Sequence, residues 1–274
     1  MSPHRRPARV LALVAALTFS VLATAGPAQA GPATVGRPQP AAAPASSLLV
    51  TLVDLLARIL PVPAPAVPGV TPSLVTRVTA STVRVNGVAC GVRLAGSGFS
   101  TAPDTIVTNA HVVAGTTVTS VLRPDGRTLP ATVTAFDPVK DVAVLSVPGL
   151  GEPSLSLASA VVGETDAVFG HPLGQAAIEV SPAVVTRRVT GDFGDIYDRP
   201  AAPRQILVLN ADLQPGDSGA GLVNSAGKVV GVAFAISSVR QSTAFAVASE
   251  DLAPVLARPR GGAVSTGPCS AEKR

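Results

Sequence analysis

Short apolar runs, cut apart by Gly, Pro, Asn or Asp, recur from residue 81 to residue 248 and constrain the fold more than any other feature of this chain. They read STVRV, GVRL, TIVTN, TTVTSVL, LPATVTAF and DVAVLSV in the first half, then DAVFG, AVVTRRV, QILVL, GAGLVN, VVGVAFAI and TAFAVA in the second. Runs of this length, rich in Val, Ile and Thr and bounded by turn residues, are strands. Their spacing predicts an all-β sandwich or barrel and not an alternation of strand and helix. Tryptophan is absent and tyrosine occurs once, so the core has to be built from Val, Ile, Leu, Ala and a few Phe.

The N-terminal residues follow a different pattern. Arg5, Arg6 and Arg9 precede an apolar run from Val10 to Leu22, and Ala28-Gln29-Ala30 follows. This is the three-part pattern of a secretory signal, expected over 1–30, and its apolar run is short against the roughly 20 residues a spanning helix needs. Export to the extracellular space or the cell envelope is the expectation. Residues 31–70 form an Ala/Pro-rich tether, within which Leu48, Leu52, Leu55, Leu56 and Ile59 share one face of a predicted amphipathic helix over 48–60. Three placements fit that helix: docked on the folded body, lying at a membrane or envelope surface, or within a pro-segment.

The formal net charge of +4 falls to +1 once Arg5, Arg6 and Arg9 of the leader are set aside, so the basic balance is no argument for a nucleic-acid partner. Beyond the leader only His111 and His171 remain, with two cysteines far apart in sequence; no metal constellation is present and no cofactor is expected. His171, in FGHPLG, reads as a turn residue. Two cysteines in an exported chain are expected to pair, as Cys90–Cys269, the alternatives being reduced thiols or an intermolecular bond. A bridge closing so long a loop contributes at most about 5 kcal/mol in the chain-entropy model.

The chemistry lies in three fragments: TNAHVV around His111, DVAVL opening at Asp141, and Gly216-Asp217-Ser218-Gly219. A serine hydroxyl is too weakly acidic to attack a peptide carbonyl unaided. It needs an imidazole to take its proton and a carboxylate to orient that imidazole. The fragments supply all three groups in the order His, Asp, Ser, which differs from the order on α/β-hydrolase and subtilisin scaffolds. Asp137 is a second carboxylate close by, but Asp137-Pro138 reads as a turn, whereas Asp141 directly precedes an alternating strand.

These fragments resemble those of the trypsin-like (chymotrypsin-fold) serine proteases over roughly residues 75–258. The segment from Ala211 to Gly219, the stretch Asp195 to Pro200 and the two-cysteine arrangement are most similar to MarP-type proteases of the actinobacterial envelope. The resemblance implies two antiparallel six-stranded β-barrels with the active site in the cleft between them, a protease domain over 71–258, and a C-terminal tail, 259–274, that carries Cys269. It implies Ser218 as nucleophile, His111 as general base and then acid, Asp141 as the orienting carboxylate, and the Gly216 and Ser218 N–H groups as the oxyanion hole. The substrate is then a protein or peptide. Asp212, six residues before Ser218, falls at the base of the family's specificity pocket, which implies a buried carboxylate and a preference for Arg or Lys before the cleaved bond. Phe234, Ala235 and Ile236 fall on the strand that pairs with substrate. Phe234 stands where many relatives have a serine bonded to the catalytic aspartate, so Asp141 needs other support. Asp217 matches the residue that pairs with a new N-terminus in zymogen-activated members, yet no obvious activation sequence precedes the domain. A catalytically silent binding module on the same fold is the second class of reading. It calls for a lost triad residue, and this sequence has lost none.

Overall fold

The structure, a computed structural model, describes residues 67–258 and 261–269. The expected leader, the helix over 48–60 and residues 31–66 of the tether lie outside the described residues. No helix among the described residues is long and apolar enough to cross a membrane.

The chain opens with α1 (Pro72–Ala80), started by the Thr71 side chain accepting from the Leu74 amide and by proline in its first turn. Then follow β1 (Thr82–Ala89), β2 (Val92–Ala102), β3 (Thr105–Thr108), the single turn α2 (Ala110–Val113), β4 (Thr116–Leu122), β5 (Thr128–Asp137) and β6 (Val142–Ser146). The second half comprises β7 (Thr165–Gly170), a 3₁₀ turn at Pro172–Gly174, β8 (Glu179–Gly191), β9 (Arg204–Asn210), β10 (Gly221–Val223), β11 (Val229–Ile236), β12 (Thr243–Ala248) and α3 (Ser249–Leu256).

Each half closes into an antiparallel barrel, in the order β1-β2-β3-β6-β5-β4 and then β10-β11-β12-β9-β8-β7. Closure gives every strand a neighbour on each side, and alternation sends every second side chain inward. Val83, Val85, Ile106, Val121 and Leu145 fill the first barrel. Val168, Val185, Leu207, Leu209 and Leu222 fill the second.

A third apolar cluster joins the two. Phe99, Val107 and Val142 from the first barrel meet Phe169, Ile206 and Val232 from the second, and Leu74 and Val78 of α1 and Leu252 and Val255 of α3 pack against them. Phe99 and Phe169 are both fully buried here. Each such side chain is worth about 2–3 kcal/mol of burial, so the barrels are joined by a core of their own and the cleft between them is a defined surface.

Candidate active site

The first barrel supplies an acid–base pair. β3 runs into Asn109, and α2 buries Ala110, Val112 and Val113, which leaves His111 on the cleft side. Asp141 precedes β6 with φ of +55°, a left-handed conformation that a residue with a side chain adopts only when its surroundings impose it. Its carboxylate is 2% exposed. It accepts the His111 backbone N–H at 3.0 Å, and His111 Nδ1 lies 2.9 and 3.1 Å from its two oxygens. The Asp141 carbonyl accepts from Asn109 Nδ2 at 2.8 Å. A carboxylate facing Nδ1 fixes the tautomer in which Nδ1 carries the proton and Nε2 presents its lone pair.

Asp137 has a different task. Its Oδ1 accepts from the Val139 and Lys140 amides at 3.1 and 2.8 Å, and Oδ2 is ion-paired with Arg258. It folds the turn that carries Asp141. Lys140 Nζ bonds Asp251 of α3 at 2.7 Å and the Pro203 carbonyl at 3.2 Å, Asp251 accepts from the Gln205 amide, and Ile196 N–H reaches the Pro138 carbonyl. The turn is thereby tied to the second barrel.

The second barrel supplies Ser218 on a loop that only glycine can build. Gly216 and Gly219 have φ of +103° and +89°. A Cβ on Gly219 would lie 2.0 Å from the Ser97 carbonyl oxygen, and one on Gly216 would lie 2.5 Å from that of His171. Three carbonyls of the loop are held by distant segments: Pro215 by Leu173 N–H at 2.6 Å, Gly216 by Ser97 Oγ at 2.8 Å, and Ser218 by Ser97 N–H at 2.7 Å. Ser97 Oγ also accepts from the His171 amide at 2.9 Å. In a trans peptide the N–H points opposite the carbonyl, so seating the Pro215 carbonyl on Leu173 turns the Gly216 N–H away from that segment. Among the described residues neither the Gly216 nor the Ser218 N–H has a protein acceptor.

Asp217 is buried, and its Oδ2 accepts the Gln214 amide at 2.9 Å. Burial, and Glu179 nearby, push it up to about 6. Its bonding partner is therefore within its own loop. His171 is 2% exposed and heads the 3₁₀ turn at 172–174, with Nδ1 3.1 Å from the Gln175 carbonyl; burial lowers its pKa, so the ring is neutral.

The residues expected on the substrate side divide. Phe234 and Ala235 are half-buried and Ile236 is 47% exposed. β11 pairs with β12 through Ala235 and Ile236, while β10 ends opposite Val232, so among the described residues no strand covers the other edge of 234–236. Asp212 requires a correction. It is exposed, on the rim of a shallow depression shared with Asn210, Ser242 and Glu179, and not buried at the end of a pocket. Water solvates its carboxylate there, and nothing obliges a cationic partner.

Three residues beside the site were given no role by the sequence. Ser97 joins the serine loop to the first barrel, Asn109 holds the Asp141 backbone, and Arg204 lies near Asp141. Glycines on either side of Ser97 were a usable signal of close backbone approach: a Cβ on Gly96 would lie 3.0 Å from the Ser218 carbonyl. Asn109 lies within the TNAHVV fragment but nothing there points to its bond with Asp141, and Arg204 left no signal.

Cys90 and Cys269 are bonded. The tail that brings Cys269 there donates from Val264 N–H to the Val133 carbonyl, accepts from Gly115 N–H at Thr266, and receives Tyr197 Oη at the Pro268 carbonyl, 3.1 Å away.

Known proteins agree with this architecture. Residues 96–232 match the model of the trypsin-like peptidase domain. Serine protease Rv3671c of Mycobacterium tuberculosis is 34% identical over 205 residues, 73% of this chain and 51% of that protein, so the chain spans about half the length of this curated relative. A probable periplasmic DegP-like serine endoprotease of Chlamydia pneumoniae is 36% identical over 148 residues, 52% of this chain and 29% of that protein. The crystal structure of the Rv3671c protease in its active form superposes with a TM-score of 0.69 at 32% identity, covering 77% of this chain and 97% of that one. With its two six-stranded barrels and its likeness to the Rv3671c protease, this chain belongs to the trypsin-like serine protease family.

Proposed function

We propose that this chain is an exported, envelope-associated serine endopeptidase that cleaves protein or peptide substrates through an acyl-enzyme intermediate. The observation that carries the reading is the Asp141 carboxylate taking both the backbone N–H and Nδ1 of His111, across the cleft from a serine on a glycine-built loop. His111 Nε2 takes the Ser218 proton as Oγ attacks the carbonyl, then returns it to the leaving amine. Asp141 compensates the imidazolium formed in between. The Gly216 and Ser218 N–H groups, each without an acceptor among the described residues, receive the oxyanion, and a donor of this kind is worth about 10² to 10³ in rate. The uncovered edge of Phe234, Ala235 and Ile236 receives the substrate backbone as an added strand. Export is supported by the leader pattern, and the envelope by the periplasmic name of one relative.

A fluorophosphonate probe tests this directly. The mature protein is expected to be labelled at Ser218, and Ser218→Ala, which removes one hydroxyl and leaves the fold intact, is expected to abolish both labelling and peptide hydrolysis. Turnover at the wild-type rate in Ser218→Ala would falsify the assignment. A folded protein that is neither labelled nor active is a binding module.

A further inference from the structure

Arg204, the first residue of β9, is 6% exposed, and its Nε and Nη1 are buried with no hydrogen-bond partner among the described residues. A guanidinium out of water with unused donors is costly, so its surroundings must supply a compensating field. They do so from several elements. Its Cζ stands 5.0 Å from the ring centroid of Phe234, on whose negative face a cation is favoured. Burial lowers its pKa, and the carboxylates near enough to oppose this are Asp141 before β6, Asp251 on α3, Asp137 at the end of β5 and Asp195 in the β8–β9 loop.

The other charges in this cluster are already engaged. Asp137 is held by Arg258, Asp251 by Lys140, and Asp195 by Arg199 at 2.6 Å. Asp141 is shared only with His111 among the ion pairs of the described residues. The backbone on both sides of Arg204 is tied to the turn that carries Asp141, since Pro203 accepts from Lys140 and the Gln205 amide donates to Asp251, which also binds Lys140. Phe234, beneath the guanidinium, offers Asp141 no hydroxyl.

We infer that Arg204 is a positioning residue for the Asp141–His111 pair, a fixed buried cation that resists protonation of the pair and extends activity to more acidic pH. The inference rests on the triad reading above. Its sign does not depend on where the proton settles. Whether it settles on His111 or on Asp141, the pair gains a positive charge, and a neighbouring cation opposes that gain. Removing the cation therefore moves the acidic limb of the rate profile to higher pH.

The test measures the rate of Ser218 labelling by a fluorophosphonate between pH 4.5 and 8.5, which needs no knowledge of the natural substrate. Arg204→Met keeps the apolar volume and removes the charge. Its half-maximal pH is expected to rise by roughly one unit, the size of effect a near charge produces, with labelling about tenfold slower on the acidic side and little changed at the alkaline plateau. Arg204→Lys keeps the charge, and its limb is expected to coincide with that of the wild type. A limb unmoved in Arg204→Met, or a loss equal at every pH, overturns the inference. If Arg204→Met does not fold, Arg204→Lys decides, and a shifted limb in that variant overturns it.

NMR titration of the His111 ring C–H protons gives a readout independent of turnover and must show the same upward displacement in Arg204→Met. A protein that is never labelled but shows that displacement refutes the protease reading and leaves the role of Arg204 standing. A labelled protein without it does the reverse.

Discussion

The turn from Asp137 to Asp141 and the loop from Gln214 to Gly219 each bring one side chain of the candidate triad to the cleft, and each reaches across to the opposite barrel. The turn does so with charge: Arg258 on Asp137 and Lys140 on Asp251, with Arg204 beside Asp141. The loop does so by proximity, with its glycines pressed against the Ser97 and His171 carbonyls and its own carbonyls capped by Ser97 and Leu173. Charges act over several ångströms and tolerate small displacements, which suits a carboxylate that needs only to face an imidazole. An oxyanion hole depends on donors 2.7–3.1 Å from their target, and only backbone in contact with backbone holds that tolerance.

The largest effect predicted from this contrast is in Gly219→Ala. A Cβ 2.0 Å from the Ser97 carbonyl, on a backbone with φ of +89°, has to push the loop off the first barrel. Fluorophosphonate labelling is expected to fall by about a thousandfold or more, as both oxyanion donors shift, and added salt should not change that figure. Labelling within tenfold of wild type would show that contact is not what holds the loop.

A charge placed where no partner reaches it should be a burden. Asp166, in β7, is fully buried with both oxygens unpartnered among the described residues, and burial together with Glu164 pushes it up to about 6. The folded state thus binds this proton more tightly than the unfolded chain. The associated stability is complete below the ordinary carboxylate value near 3.8 and is lost as pH rises through about 6. Asp166→Asn is expected to raise unfolding free energy at pH 7.5 by up to about 3 kcal/mol and to change little at pH 4. Denaturant midpoints at the two pH values check this; a midpoint lowered at pH 7.5 would mean the charge has a partner after all.

A smaller effect is expected at Lys140, which is 24% exposed and pairs with an Asp251 that is 11% exposed. Lys140→Met should destabilise the protein by about 1–2 kcal/mol and slow labelling severalfold. Unlike the glycine variant, part of the difference from wild type should vanish in high salt, because it is salt that weakens the wild-type pair. Smallest of all is Asp212→Ser. With its carboxylate in water, labelling within about twofold of wild type and an unchanged peptide-library profile before the cleaved bond are expected. A lost preference for Arg or Lys would put a cation-binding pocket back at Asp212.

Much of this architecture was legible in the sequence, and the failures have physical causes. STVRV, DVAVLSV and VVGVAFAI read directly as parts of β1, β6 and β11, because each is a short run rich in β-branched and apolar residues. α1 and α3 escaped that reading. The first is rich in β-branched residues, which favour strands, and the second contains Pro254, which ordinarily ends a helix. Strand periodicity says nothing of how sheets close, so the two barrels came from family resemblance. His111, Asp141 and Ser218 stood out because each sits in a local motif. Ser97 and Arg204 did not, and Asn109 did so with no visible role, since what the three touch is distant in sequence. Asp212 was misplaced because position in a motif does not determine whether neighbouring chain covers it.

The bond between Cys90 and Cys269 spans 179 residues, and the tail around it touches the turn after His111, strand β5 of the first barrel and Tyr197 of the second. Those contacts set an order of events. A chain made from its N-terminus presents all twelve of the described strands before residue 269 arrives, so the barrels can close while the tail is still absent. Maturation then has a last step, in which the late-arriving tail fastens the segment that follows the histidine. Until that step is complete, a newly made chain carries every group of its candidate site without the brace behind one of them.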